Sequence, residues 1–145
     1  MGLMASSLYL DANALIAAVE SPKPDLFNCM KRLKARGLEL LSSELSLAEV
    51  LPNPVKQARA DLIDIYEDII RVGGLVTAIP VGRPILRISV EMRTRFGGKL
   101  PDAIHLATAT MSGCRVIVSS DKRLRLPGGL RRLAAEDVSA LESLA

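Results

Sequence analysis

The sequence predicts an α/β domain: a central, mostly parallel, twisted sheet of four to five strands flanked by helices. Short apolar runs alternate with stretches of helical periodicity along the chain, which is the signature of βαβ units. The 145 residues suit one domain of ordinary size, expected to span 1–145. At that length a folded chain buries roughly 68–70% of the surface its unfolded form exposes, so a core forms without disulfide or metal staples. Apolar residues make up 49% and charged residues 24%, which excludes wholesale disorder.

The elements follow in order. Residues 8–10 are a short apolar strand that stops at Asp11, and an Ala-rich helix over 12–19 ends at Ser21-Pro22. A helix over 24–36 places Leu26, Phe27, Met30 and Leu33 on one face, with Pro24 in its first turn and Gly37 beyond its end. Residues 38–41 read as a strand. Ser43 suits the N-cap of a helix reaching 51, where Pro52-Asn53-Pro54 interrupts it. A long helix over 55–72 carries Leu62, Ile65, Ile69 and Val72 on one side and is closed by Gly73-Gly74. A strand over 75–79, a helix over 84–96, and a helix over 102–111 introduced by Pro101 come next. Arg115 to Ser119 is the clearest buried strand. Pro127-Gly128-Gly129 turns into a last strand near 130–133, followed by a frayed tail. No repeat, linker or low-complexity tract divides the chain.

Several function classes are excluded by composition. Aromatics are only 3%, too few for a stacking platform for single-stranded nucleic acid, so any such contact runs through charge. Cys29 and Cys114 are too few for a disulfide framework or a cysteine-rich zinc site, and are expected to be buried and reduced in a cytoplasmic protein. No apolar run approaches the ~20 residues that span a bilayer. The start lacks a basic segment and is interrupted by Asp11, so no signal peptide is expected. Met1 to Ser6 matches the myristoylation pattern only formally.

The net charge of +3 is uneven. Residues 1–72 hold 8 Lys/Arg against 10 Asp/Glu, and residues 73–145 hold 11 against 6. A basic second half permits a polyanionic partner, although solvated helix faces are the ordinary reading of such charge. Lys122, Arg123 and Arg125 are candidates for gripping a nucleic-acid backbone, or else a solvated loop.

Parallel α/β sheets place their sites beyond the carboxyl ends of the strands. Asp11 follows the first strand, Asp102 opens a helix and Asp121 follows the strand at 116–118, whereas Glu49 lies within the helix after the second strand. Each Asp has an ordinary reading as a helix cap, and Glu49 as a solvated helix face. Asn13, Ser119 and Ser120 add uncharged oxygens beside two of them. Carboxylates gathered at one edge repel unless a cation neutralises them, and an oxygen-only donor set suits Mg²⁺ or Mn²⁺. His105, the only histidine, lies three residues after Asp102 and is expected to be packed or hydrogen-bonded structurally. One histidine supplies poorly the two acid–base groups that metal-free hydrolysis by histidine needs.

Four segments carry a family resemblance. Leu8-Tyr9-Leu10-Asp11-Ala12-Asn13-Ala14-Leu15-Ile16, Ser46-Leu47-Ala48-Glu49-Val50, Leu100-Pro101-Asp102-Ala103-Ile104-His105-Leu106-Ala107-Thr108-Ala109 and Val118-Ser119-Ser120-Asp121-Lys122-Arg123-Leu124 resemble, in order, the signature segments of PIN-domain ribonucleases. Among these the chain is most similar to the VapC toxins of toxin–antitoxin pairs. The resemblance covers essentially the whole chain. It implies a catalytic, metal-binding quartet at Asp11, Glu49, Asp102 and Asp121, with accessory oxygens on Asn13 and Ser119. It also implies Mg²⁺ or Mn²⁺, RNA as substrate, products with 5′-phosphate and 3′-hydroxyl ends, a homodimer and a cognate antitoxin. The apolar residues of helices 24–36 and 55–72 are candidates for those interfaces, or for the core. The Pro52-Asn53-Pro54 break departs from the family pattern.

Three other readings compete. A receiver-type phosphotransfer domain needs an Asp after its third strand, where this chain has Ile79-Pro80. A haloacid-dehalogenase-type phosphatase needs a second Asp where Asn13 stands. A non-catalytic PIN-like module that binds RNA or protein is the third.

Overall fold

The computed structural model describes residues 7–144, so the Met1–Ser6 pattern lies outside the described residues. Its five strands are β1 (Ser7–Leu10), β2 (Glu39–Ser43), β3 (Thr77–Ile79), β4 (Val116–Val118) and β5 (Arg131–Leu133). They form one sheet in the order β3-β2-β1-β4-β5, and every pairing is parallel. The helices are α1 (Ala12–Glu20), α2 (Asp25–Ala35), α3 (Leu45–Val50), α4 (Pro52–Lys56), α5 (Ala60–Ile69), α6 (Arg83–Phe96), α7 (Leu100–Met111) and α8 (Val138–Glu142).

Strand alternation sorts the core into two layers. Leu8 and Leu10 of β1 face a cluster with Leu40, Val116 and Val118, covered by α1, α2, α5 and α8. Tyr9 points the other way, into a cluster with Leu41 and Ile117 beneath α6 and α7. All four residues of β1 are buried, as a central strand covered on both faces requires. Cys29 and Cys114 are both buried free thiols. No helix among the described residues is long and apolar enough to cross a membrane.

Four expectations are corrected. The helix over 55–72 is two helices, because Ala58 adopts a left-handed φ of 51° and Arg59 N–H bonds back to the Pro54 carbonyl at 2.9 Å. Pro52 ends the preceding helix as expected, with α3 stopping at Val50, and itself opens α4, where its missing N–H costs nothing. The far end of that predicted helix stops at Ile69, since Ile70 leaves to bridge Val76. Gly74 permits the reversal, because a Cβ there would stand 2.7 Å from the Ile69 carbonyl oxygen.

Ser43 closes β2 rather than capping a helix, though its hydroxyl still accepts the Leu45 N–H at 3.0 Å. The tail is not frayed: Asp137 caps α8 by accepting the Ala140 N–H at 3.2 Å, and Leu141 and Leu144 enter the core. The apolar faces of α2 and α5 are likewise spent on the core, through Leu26, Met30, Leu33, Leu62, Tyr66 and Ile69.

The strand order sets the position of the site. The chain builds β2 and β3 on one side of β1, then crosses to build β4 and β5 on the other. The sheet therefore has its topological switch between β1 and β4, where flanking loops diverge and leave a crevice at the carboxyl edge. Because Leu10 is fully buried beside that edge, Leu10→Ala is expected to lower the unfolding free energy by about 2–5 kcal/mol in a urea titration.

Candidate active site

Asp11 sits at the switch. Its N–H donates to the Val118 carbonyl at 3.3 Å, tying the exit of β1 to the end of β4. Its Oδ1 accepts the Ala14 N–H at 2.9 Å and caps α1. The capping role anticipated from sequence is thus real, but it occupies only one of the two oxygens' faces. Burial raises the Asp11 carboxyl above the usual carboxylate range, and the negative charge of Glu49 adds to the rise. The Ser119 hydroxyl, the Ala14 N–H and His105 offset part of it.

Glu49 projects from α3, and its Oε1 lies 2.6 Å from His105 Nε2. His105 is 5% exposed on α7, and its other nitrogen, Nδ1, lies 2.6 Å from the phenol of Tyr9 on β1. Both ring nitrogens are therefore occupied. The expectation of a hydrogen-bonded histidine holds, and the same residue also touches the acidic site.

Asp102 is the third residue of α7 and its Oδ2 accepts the Lys99 N–H at 3.4 Å. It lines a pocket of about 230 Å³ together with Asp121, Lys99, Arg123 and Arg125. Gly98 shapes the turn beside it by holding a left-handed φ of 84°, which side-chain-bearing residues rarely adopt. Asp121 is held by a local turn in which its Oδ1 accepts the Arg123 N–H at 3.0 Å. The buried Ser119 hydroxyl accepts the Asp121 N–H at 3.2 Å, while the Arg132 guanidinium donates to the Ser119 carbonyl at 2.8 Å.

The four carboxylates thus stand as two pairs, Asp11 with Glu49 and Asp102 with Asp121. Ser119 links the pairs on the β4 side, and one turn of α7 links them through Asp102 and His105. Among the described residues, no three acidic, histidine or cysteine side chains converge into a ready-made cation cage. Asn13 stands exposed on the first turn of α1.

Tyr9 is the participant that sequence reasoning missed, along with Ser42 and Ser46. Ser42 Oγ donates to the Leu10 carbonyl at 2.7 Å and accepts from Ser46 Oγ at 2.7 Å, fixing the last residue before Asp11 from the β2 side. The available signal was a phenol inside an otherwise aliphatic strand, since a buried Tyr O–H needs a partner.

The donor set fits a hard divalent cation. Among the described residues, the side chains gathered there offer carboxylate, amide and hydroxyl oxygens, which suit such an ion. Mg²⁺ binds through one or two carboxylates, waters and substrate phosphate rather than a full protein cage, as paired carboxylates allow. Soft metals do not fit, because His105 is doubly engaged and the thiol of Cys114 contacts Ser7 instead.

Comparison with known proteins agrees with this fold. The PIN domain family model matches residues 8–130. No curated protein matches the chain. Among solved structures, VapBC2 from Rickettsia felis bound to a DNA fragment from its promoter superposes with a TM-score of 0.69 at 17% identity, covering 88% of this chain and 98% of that one. A toxin–antitoxin complex from Klebsiella pneumoniae gives 0.66 at 22% identity, covering 88% and 97%. VapC20 from Mycobacterium tuberculosis, a sarcin–ricin-loop-cleaving toxin, gives 0.58 at 17%, covering 76% and 86%. At such identities the likeness is one of fold.

The two roles of Asp11 are separable by substitution. Asp11→Asn retains a capping oxygen and removes a buried charge, so its unfolding free energy should stay within about 1 kcal/mol of wild type. Asp11→Ala loses the cap and should cost about 0.5–2 kcal/mol, measured by thermal or urea unfolding without added metal.

Proposed function

The chain belongs to the PIN-domain family, and from that premise we propose that it is an endoribonuclease dependent on Mg²⁺ or Mn²⁺, acting as the toxin of a toxin–antitoxin pair. The observation that carries this reading is the partly buried Asp11 carboxylate beside Glu49, set at the sheet's switch next to a cation-rimmed pocket holding Asp102 and Asp121. Like charges brought together in a partly buried site are costly to keep, and a cation offsets that cost.

Asp11 and Asp102 would hold the metal, with Glu49 as a further ligand or as the group that orients the attacking water, and Asp121 completing the acidic quartet. When bound, such an ion supplies Lewis acidity to the scissile phosphate and lowers the pKa of a water at neutral pH. The protein does the positioning. Glu49 is anchored through Oε1, so its other oxygen can be presented in a constant direction. Lys99, Arg123 and Arg125 surround the pocket and would hold phosphates flanking the cut, orienting RNA without reading its bases. His105, with both nitrogens engaged, is not the proton shuttle of this reaction. Hydrolysis by water then leaves a 5′-phosphate and a 3′-hydroxyl.

A homodimer and a cognate antitoxin belong to the same proposal. Two of the similar folds were solved as toxin–antitoxin complexes. Leu86 and Val90 on α6, with Leu100 at the start of α7, are exposed apolar side chains that such partners would cover.

Purified protein free of antitoxin should cut total cellular RNA with Mg²⁺ or Mn²⁺, stop in chelator, and leave 5′-phosphates at mapped ends. Asp11→Asn should lose at least about 100-fold in rate, since it removes a ligand to the activating ion. Cleavage that persists in chelator would sink the mechanism, and binding without cleavage would favour a non-catalytic module. Arg123→Ala and Arg125→Ala should each weaken RNA binding and flatten the slope of log affinity against log salt by about 0.7.

A further inference from the structure

Glu49 is the one acidic residue of the quartet that neither follows a strand nor caps a helix, so its direction must be set by a neighbour. That neighbour is His105, held in turn by Tyr9, and the three residues come from α3, α7 and β1. The chain of contacts is short, at 2.6 Å on each side of the imidazole. Tyr9 is fully buried, and its ring meets His105 edge-on with centroids 5.7 Å apart. Among the described residues no buried side-chain nitrogen or oxygen lacks a partner, so this network is complete without any added group.

Proton bookkeeping fixes the direction of the bond to Glu49, and the assignment of Nδ1 follows for a neutral ring. An ionised carboxylate only accepts, so the N–H must be on Nε2, facing Glu49. In a neutral imidazole Nδ1 is then an acceptor, and the Tyr9 O–H donates to it. Burial pushes the Tyr9 phenol well above its ordinary range, which keeps that proton in place. The opposite tautomer would aim a lone pair at the carboxylate.

We propose that His105 is a positioning residue: with its tautomer set by Tyr9, it holds Glu49 Oε1 and thereby presents the carboxylate to the cation and water of the proposed reaction. This rests on the nuclease reading for its consequence but not for its geometry. The partners that orient metal-binding carboxylates and imidazoles typically cost 10–100-fold in metal affinity or activity when removed.

The chain has a single histidine, so the imidazole nitrogens can be observed by ¹⁵N NMR without assignment ambiguity. Wild type should show a protonated Nε2 and a bare Nδ1, with the Nε2 signal shifting when Mg²⁺ is added. Tyr9→Phe should shift the tautomer balance. His105→Leu should lose about 10–100-fold in Mn²⁺ affinity by calorimetry and in RNA cleavage. His105→Gln, whose amide reaches the Nε2 position, should recover both to within a few-fold, which loss of packing alone would not produce. A wild-type Nδ1–H tautomer, His105→Leu binding Mn²⁺ as wild type does, or His105→Gln as defective as His105→Leu would each overturn the assignment. Absence of RNA cleavage by wild type, with the expected tautomer and Mn²⁺ affinities, would defeat the nuclease reading and leave the positioning role standing.

Discussion

Strand β1 is buried along its whole length, and because its side chains alternate, it must deliver Leu8 and Leu10 to one core and Tyr9 to the other. Everything at the carboxyl edge inherits its position from that constraint. Leu10 cannot shift without opening a cavity, and its carbonyl is gripped by Ser42, so Asp11 leaves the sheet at a defined point. A one-residue slip of β1 would exchange its faces, burying Asp11's neighbours wrongly and taking Tyr9 away from His105. Packing and site geometry are therefore enforced by the same four residues.

Placing charge at such a point works against folding. Asp11 is raised by burial, and Glu49 stands close enough to add to the effect. The protein tempers the cost with neutral dipoles: a helix N-terminus at Asp11, the Ser119 hydroxyl, and the His105 N–H at Glu49. Elsewhere the molecule neutralises carboxylates outright, as in the exposed Arg59–Asp61 pair and the Arg32–Glu142 pair that fastens α8 to α2. A full cation beside Asp11 and Glu49 would stabilise the fold more but would leave nothing for an ion to bind, in keeping with the strain and charge that active sites carry.

Much of this was legible in the sequence. Alternating strand and helix patterns led to a parallel sheet, and the parallel sheet told where to look for carboxylates. What escaped was governed by single backbone torsions and by tertiary contacts. Ala58 carries no sign of its left-handed φ, so two helices read as one. The α8 segment is only five residues long, and its order comes from Leu141 and Leu144 entering the core and from the contact of Glu142 with Arg32, 110 residues away. Tyr9 and His105 are 96 residues apart, and only the placement of α7 over β1 makes them a pair. The quartet's division into two pairs was equally invisible, because spacing along the chain says nothing about separation across a crevice.

That division bears on how the proposed reaction could be assembled. A crevice with two carboxylate pairs repels RNA as strongly as it attracts a cation, so neither acidic pair can recruit a phosphate unaided. The basic excess of residues 73–145 acquires meaning here. Lys99, Arg123 and Arg125 ring the Asp102–Asp121 pocket, while the Asp11–Glu49 pair is contacted by the Ala14 N–H and by His105. Positive side chains on one side of the crevice can seat the backbone of an incoming strand. The acidic pair on the other side is left to a metal ion. In this arrangement the ion and the phosphate each supply the charge the other needs, and both are brought together at the edge of β1, where the sheet already holds its most closely fixed carboxylate.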